Sequence, residues 1–131
     1  VTECKMKNIN FSFDVYVTNL KYVKNNDLVT ILSNALDNAI ESAEQSSVKI
    51  VSISTDHINT YDVITIVNSC DNPPKTKGND LVTTKKDSSI HGLGIKSIQK
   101  VLKQYNGDCQ WEYNENKREF TLIISLLSSQ N

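Results

Sequence analysis

The chain has 131 residues, a formal net charge of −1, 38% hydrophobic and 22% charged residues. That is enough for a single domain over 1–131 with its own core, and it excludes a disordered chain. The balanced charge also excludes a bulk field that would draw the protein to nucleic acid or to an acidic membrane.

No apolar run approaches the ~20 residues that span a bilayer, and no signal peptide is visible. The sequence starts at Val1, so a fragment of a longer protein is expected. The three cysteines, Cys4, Cys70 and Cys109, are odd in number and form no CxxC. A reducing compartment is therefore expected, with neither a disulfide framework nor a zinc site.

In chain order, Ile9, Phe11, Phe13, Val15 and Val17 alternate as in a half-buried strand. Leu28, Ile31, Leu32, Ala35, Leu36, Ala39, Ile40 and Ala43 then recur at helical spacing over 27–45, with Asp27 expected as the N-cap. Val48, Ile50, Val51 and Ile53 predict a strand. A turn over 58–61 leads to a second strand over 63–67, the simple reading is a hairpin, and His57 is expected to lie in a turn. The stretch 68–91 carries both prolines and little apolar content, so it is expected to be a long functional loop. A second helix is expected over 93–105, stopped by Asn106-Gly107. Two last strands follow, over 109–113 and 120–127. The order β-α-β-β-loop-α-β-β predicts an α/β two-layer sandwich, a mostly antiparallel sheet with helices packed on one face.

Two features of this pattern carry chemistry. Asn34 and Asn38 lie one turn apart in NALDNAIESAE, at the edge of the apolar stripe beside Ile31. Each costs roughly 0.5 kcal/mol of helix propensity against alanine, too little to separate function from drift. The second feature is His91-Gly92-Leu93-Gly94 (HGLG), which is expected to open the second helix and holds two of the four glycines. Glycines at a helix N-terminus let bare backbone N–H groups approach a phosphate. A plain tight turn has the same look. No GxGxxG or Walker-type lysine is present, so neither a Rossmann turn nor a P-loop fits.

Taken together, the Asn-xxx-Asn helix, a strand ending at Asn68, a polar loop, TTK and HGLG resemble the ATP-binding Bergerat fold of the GHKL group. That group includes DNA gyrase, heat-shock-90-type chaperones, sensor histidine kinases and mismatch-repair ATPases. NALDNAIESA is most similar to the asparagine box of peptide-pheromone-sensing histidine kinases of Gram-positive bacteria, and TTKKDSSIHGLGIKSI to the segment that follows their lid.

The resemblance implies roles by position. Asn38 would be the Mg²⁺ ligand, since magnesium takes oxygen donors and keeps several waters. Asn34 stands where hydrolysing relatives keep a water-activating glutamate, and an amide is no base. Asn68 stands where most relatives have an aspartate that accepts from the adenine amino group. The glycines that usually follow are replaced by SCDNPP, with Asp71 an alternative acceptor. Gly92, Leu93 and Gly94 would bring backbone amides to the phosphates. Lys85 would pair with the terminal phosphate, with His91 beside it.

The implied activity is transfer of the ATP γ-phosphoryl group to a histidine on separate dimerisation helices of the parent kinase. A response regulator would act downstream in quorum sensing. Neither His57 nor His91 fits the acceptor. This piece would be a cytoplasmic, monomeric catalytic domain of a membrane-anchored protein. An anti-sigma-factor-type serine kinase, and a non-catalytic module that has lost nucleotide, remain open alternatives.

Overall fold

The computed structural model describes residues 8–15, 20–77, 80–82 and 88–128. In chain order its strands are β1 (Asn10–Val15), β2 (Ile50–Ile58), β3 (Tyr61–Ser69), β4 (Lys75–Lys77), β5 (Asp80–Val82), β6 (Asp108–Asn114) and β7 (Glu119–Leu127). Helix α1 (Asn25–Glu44) lies between β1 and β2, and helix α2 (Ser88–Lys103) between β5 and β6. Strands 1, 2, 3, 7 and 6 form one sheet in the order β1-β2-β3-β7-β6, and β4 and β5 form a separate short ribbon. The α/β two-layer sandwich with a mostly antiparallel sheet is thus the observed fold. Among the described strands only β1 and β2 run parallel, because α1 carries the chain across between them. No described helix is long and apolar enough to cross a membrane.

Alternation along the strands decides which side chains meet the helices. On β3 the buried set is Asp62, Ile64, Ile66 and Asn68, and on β7 it includes Leu122, Ile124 and Leu126. Val51 and Ile53 join them from β2. Ile31, Ala35, Ala39, Ile40 and Ala43 of α1, with Ile98 and Leu102 of α2, close this core from above. The alanines at every fourth position let α1 lie close on the sheet. Each large aliphatic side chain so buried contributes roughly 1.5–3 kcal/mol.

The β2–β3 hairpin forms as expected. Its two-residue turn at Asn59 and Thr60 uses a left-handed Asn59, φ 57°, a conformation asparagine tolerates. Helix α2 ends where Asn106-Gly107 demanded. Asn106 is left-handed (φ 52°), and the Gly107 N–H reaches back to the Leu102 carbonyl at 2.9 Å. A Cβ at 107 would lie 2.5 Å from the Ser125 carbonyl oxygen, so only glycine fits this close approach to β7.

Several expectations need correction. Asp27 is not the N-cap of α1. Lys24 holds that position without a side-chain hydrogen bond, and the Asp27 carboxylate instead accepts from the Tyr105 hydroxyl. His57 lies on β2, not in a turn, because the hairpin strands run further than their apolar residues. The 68–91 stretch is not one structureless loop, since it contains β4, β5 and the first turn of α2. Helix α2 begins at Ser88, so HGLG lies inside the helix and does not open it. Val17 and Lys85 lie outside the described residues.

Candidate functional site

Helices α1 and α2 pack side by side and run in opposite directions. At one end, Tyr105, just past α2, donates its hydroxyl to Asp27 in the first turn of α1 and accepts the Lys24 N–H at 3.1 Å. The opposite end therefore gathers the C-terminal half of α1 and the start of α2. Helix α2 turns back at Gly107 into β6, which places its start over the 111–114 end of that strand. At this same end Ser46, just after α1, shares a 2.6 Å hydroxyl–hydroxyl hydrogen bond with Ser69, the last residue of β3.

Asn34 and Asn38 lie on the flank of α1 that carries Asp27, because residues 34 and 38 each fall within ~20° of residue 27 at 100° per residue. Asp27 touches Tyr105 from the α2 side, so this flank faces α2. Both asparagines are half-buried, as expected of the lip of the core. Asn38 is the lower of the two, about 6 Å further toward the gathered end at ~1.5 Å per residue.

Asn68 closes the floor of the same region. It is only 3% exposed, on the helix face of β3. Its Nδ2 donates to the Ser69 carbonyl at 3.0 Å. Ser69 is itself pinned: its hydroxyl receives the Ile50 N–H at 2.8 Å and lies 3.3 Å from the Ile50 carbonyl. Ser46 holds the neighbouring strand entry by accepting the Lys49 N–H at 3.2 Å.

Asp71, the alternative acceptor, is already engaged. Its carboxylate receives the Ser47 N–H at 3.0 and 3.2 Å and the Ser47 hydroxyl at 2.8 Å. The Ser47 hydroxyl, and then its N–H, hold the Asp71 carboxyl below the usual carboxylate range. Of the two candidates, Asn68 is the one placed on the helix face.

Sequence reasoning missed the aromatic side of this end. Across the sheet, Val51, Asn68, Phe120 and Tyr113 form one row of paired residues. Phe120 stacks on Trp111 with centroids 5.7 Å apart and planes at 18°. The Tyr113 hydroxyl donates to the Cys70 carbonyl at 2.8 Å, tying β6 to the chain just after β3. The signal was present in Trp111 and Tyr113 alternating with Gln110, Glu112 and Asn114. Which face they occupy depends on pairing with β7, which no local pattern reveals.

The phosphate-binding candidates are placed differently than expected. Gly92 and Gly94 are the fifth and seventh residues of α2, so their N–H groups fall within the helical ladder. The unladdered N–H groups of a helix are the first four, here residues 88–91, with His91 the last of them. Leu93 lies between the two glycines in the same turn. No cluster of three His, Cys, Asp or Glu side chains suited to a metal occurs among the described residues. The available donor chemistry is a carboxamide oxygen, which suits a hard cation that takes most of its shell from phosphate and water.

The family model described as the GHKL domain matches residues 23–126. The chain belongs to the GHKL family. Solved structures agree on the fold. The nucleotide-free catalytic domain of histidine kinase ThkA superposes with a TM-score of 0.71 at 21% identity, covering 97% of this chain and 84% of that one. The histidine kinase AdeS of Acinetobacter baumannii gives 0.68 at 16%, covering 98% of this chain and 59% of that one. Full-length ShkA in complex with AMPPNP gives 0.71 at 15%, covering 95% of this chain but only 27% of its own length. No curated protein sequence matches. Within this GHKL domain, the Asn34–Asn38 flank, the end of β3 and the start of α2 share one end of the sandwich.

Proposed function

We propose that this GHKL domain is the Mg²⁺-ATP-binding catalytic domain of a sensor histidine kinase. It would transfer the γ-phosphoryl group to a histidine on separate dimerisation helices, within peptide-pheromone signalling by a membrane-anchored parent that acts through a response regulator. The observation that carries this reading is the convergence just described: the asparagine flank of α1 faces α2, at the end of the sandwich where β3 closes with Asn68 and Ser69. The AMPPNP complex of ShkA, a protein of the same fold, supports it.

In this reading the Asn38 amide oxygen is the protein's ligand to Mg²⁺, which when bound neutralises phosphate charge. Asn68 accepts from the adenine amino group. Asn34 leaves the site without a base for water, so the phosphoryl group is kept for its protein acceptor. Lys85 supplies positive charge to the terminal phosphate, with His91 beside it to cap the phosphate chain. Gly92 and Gly94 can present their N–H groups only if the first turn of α2 unwinds, and glycine lowers the cost of that change.

A second reading, a non-catalytic module of the same fold, is favoured by one observation: α2 is wound through HGLG. Titration calorimetry of the purified domain with ATP, with and without Mg²⁺, separates the two. Mg²⁺-dependent binding in the micromolar to millimolar range is expected. A folded domain that takes up no ATP would leave only the module.

A further inference from the structure

Strand β1 has a neighbour on one side only among the described strands, because the sheet runs β1-β2-β3-β7-β6. Its backbone polar groups are therefore divided. The Asn10 N–H reaches the Lys49 carbonyl at 2.9 Å, so Asn10, and by alternation Ser12 and Asp14, turn their peptide groups toward β2. Phe11 and Phe13 turn theirs to the open edge. Such an edge is a template for a further strand unless lysine, proline or a bulge blunts it. β1 reads NFSFDV in unbroken register with β2 and has none of the three.

The side chains of this edge are apolar beyond what the core requires. Phe11 and Phe13 pair with Val51 and Ile53, so both stand on the helix face. Yet Phe13 is 67% exposed. The cause is the position of α1, which packs over β3 and β2 and so stops short of the edge. Val29 of α1 is also largely exposed, and it lies ~160° around the helix from Asp27. That puts it on the flank away from α2 and toward β1. Phe11 stacks on Phe13 with centroids 6.5 Å apart, which makes the edge an apolar ledge.

The strand is complementary to itself. A second copy laid antiparallel against β1, about a two-fold axis at Ser12, sets Phe11 against the partner's Phe13 and Asn10 against the partner's Asp14, each twice by symmetry. Odd residues meet odd ones, so the rings of both copies share the helix face. The same pairing lets Phe11 and the partner's Phe13 exchange both of their open backbone bonds. The polar positions match as amide against carboxylate. An axis at Asp14 would oppose two carboxylates, and an axis at Phe11 or Phe13 would separate Asn10 from Asp14.

We propose that the open edge of β1 is a self-association surface, on which two copies of this chain pair β1 to β1 with Ser12 opposite Ser12 and join their five-stranded sheets into one. This takes the place of the monomer expected from the sequence. A six-residue strand and a few rings bury less than the ~1,600 Å² of a standard stable interface, so the dimer is weak and depends on concentration. Because the paired strands run in opposite directions, the Asn34–Asn38 ends of the two copies point away from each other and both stay open.

The test combines sedimentation velocity with oxidative cross-linking of the purified chain. The wild type is expected to shift from monomer toward dimer between about 10 µM and about 1 mM. Phe13→Glu, checked for fold by circular dichroism, should weaken that association about tenfold or more, since it places a carboxylate on the ledge of each copy. In a background of Cys4→Ser and Cys70→Ser, Ser12→Cys sets two thiols at a non-hydrogen-bonded pair with Cα atoms ~4.5 Å apart, a distance a disulfide spans. With oxidised glutathione it should cross-link about tenfold faster or more than Asp14→Cys, whose thiols lie on opposite sides of the axis, four residues of strand apart at ~3.4 Å each. A wild type that stays monomeric throughout this concentration range would overturn the proposal. So would a dimer that Phe13→Glu leaves as tight as before, or an Asp14→Cys that links as fast as Ser12→Cys.

Discussion

Asp62 and Asn68 stand on the same face of the same strand, six residues apart, and both are buried. Their surroundings are opposite. The Asp62 carboxylate is fully engaged, accepting the Tyr22 hydroxyl at 2.6 Å and pairing with His57 Nδ1 at 2.9 Å. Nearby, Tyr105 ties the start of α1 to the end of α2. Apart from the His57–Asp62 pair, these bonds join residues 40, 78 and 81 positions apart along the chain. At the other end the polar links of Asn68 and Asp71 are more local, and Asn68 keeps an acceptor in reserve. One end of the sandwich uses its buried polar groups to hold the two layers together. The other does so only in part, through Ser46 and Ser69, and leaves the Asn68 Oδ1 without a partner among the described residues.

If that division is right, damage to the two ends should separate. Asn38→Ala should weaken Mg²⁺-dependent ATP binding at least thirtyfold by calorimetry while leaving the melting temperature within a few degrees. Asp62→Ala should do the reverse. It leaves the Tyr22 hydroxyl without its acceptor and should lower unfolding free energy by about 1–3 kcal/mol, with ATP affinity of the folded protein unchanged. Tyr105→Phe removes one donor and one acceptor from the same end and should cost about 1 kcal/mol or slightly more in urea denaturation.

The pH dependence should sharpen the contrast. Burial pushes the Cys109 thiol up to about 12, and burial with the Asp62 bond raises Tyr22 as well. Groups raised in the folded state stabilise it fully below their unfolded values, about 8.5 for a thiol, and lose that contribution as pH climbs toward the folded ones. Urea midpoints should therefore fall steadily between about pH 9 and pH 12, with a thiol reagent modifying Cys70 well before Cys109. The smallest effect belongs to the open end. Ser47→Ala removes the main cause of the lowered Asp71 carboxyl, and an NMR titration should show that carboxyl moving back up with the fold unchanged.

The amino-acid sequence by itself determined the two helices, the five strands of the main sheet and the family. Period-2 and period-3.6 apolar patterns are local, so β2, β3, α1 and α2 could be read from Ile53, Ile64, Ala39 and Ile98 and their neighbours. The same holds for the Asn106-Gly107 stop, because a left-handed C-cap is a property of a few consecutive residues. Asn34 and Asn38 were legible as a pair for the same reason. Only the tertiary structure decided that Asp27 serves Tyr105 instead of capping its own helix. It also decided that β1 lies parallel to β2, that α2 starts at Ser88, and that Phe120 and Tyr113 line up beside Asn68. Each of these depends on which strand or helix lies alongside, a pairing between residues far apart in the chain whose register no short window of sequence contains. The direction of the Asn68 amide is the sharpest case. Residue identity left both of its ends available, and the position of one backbone carbonyl chose between them.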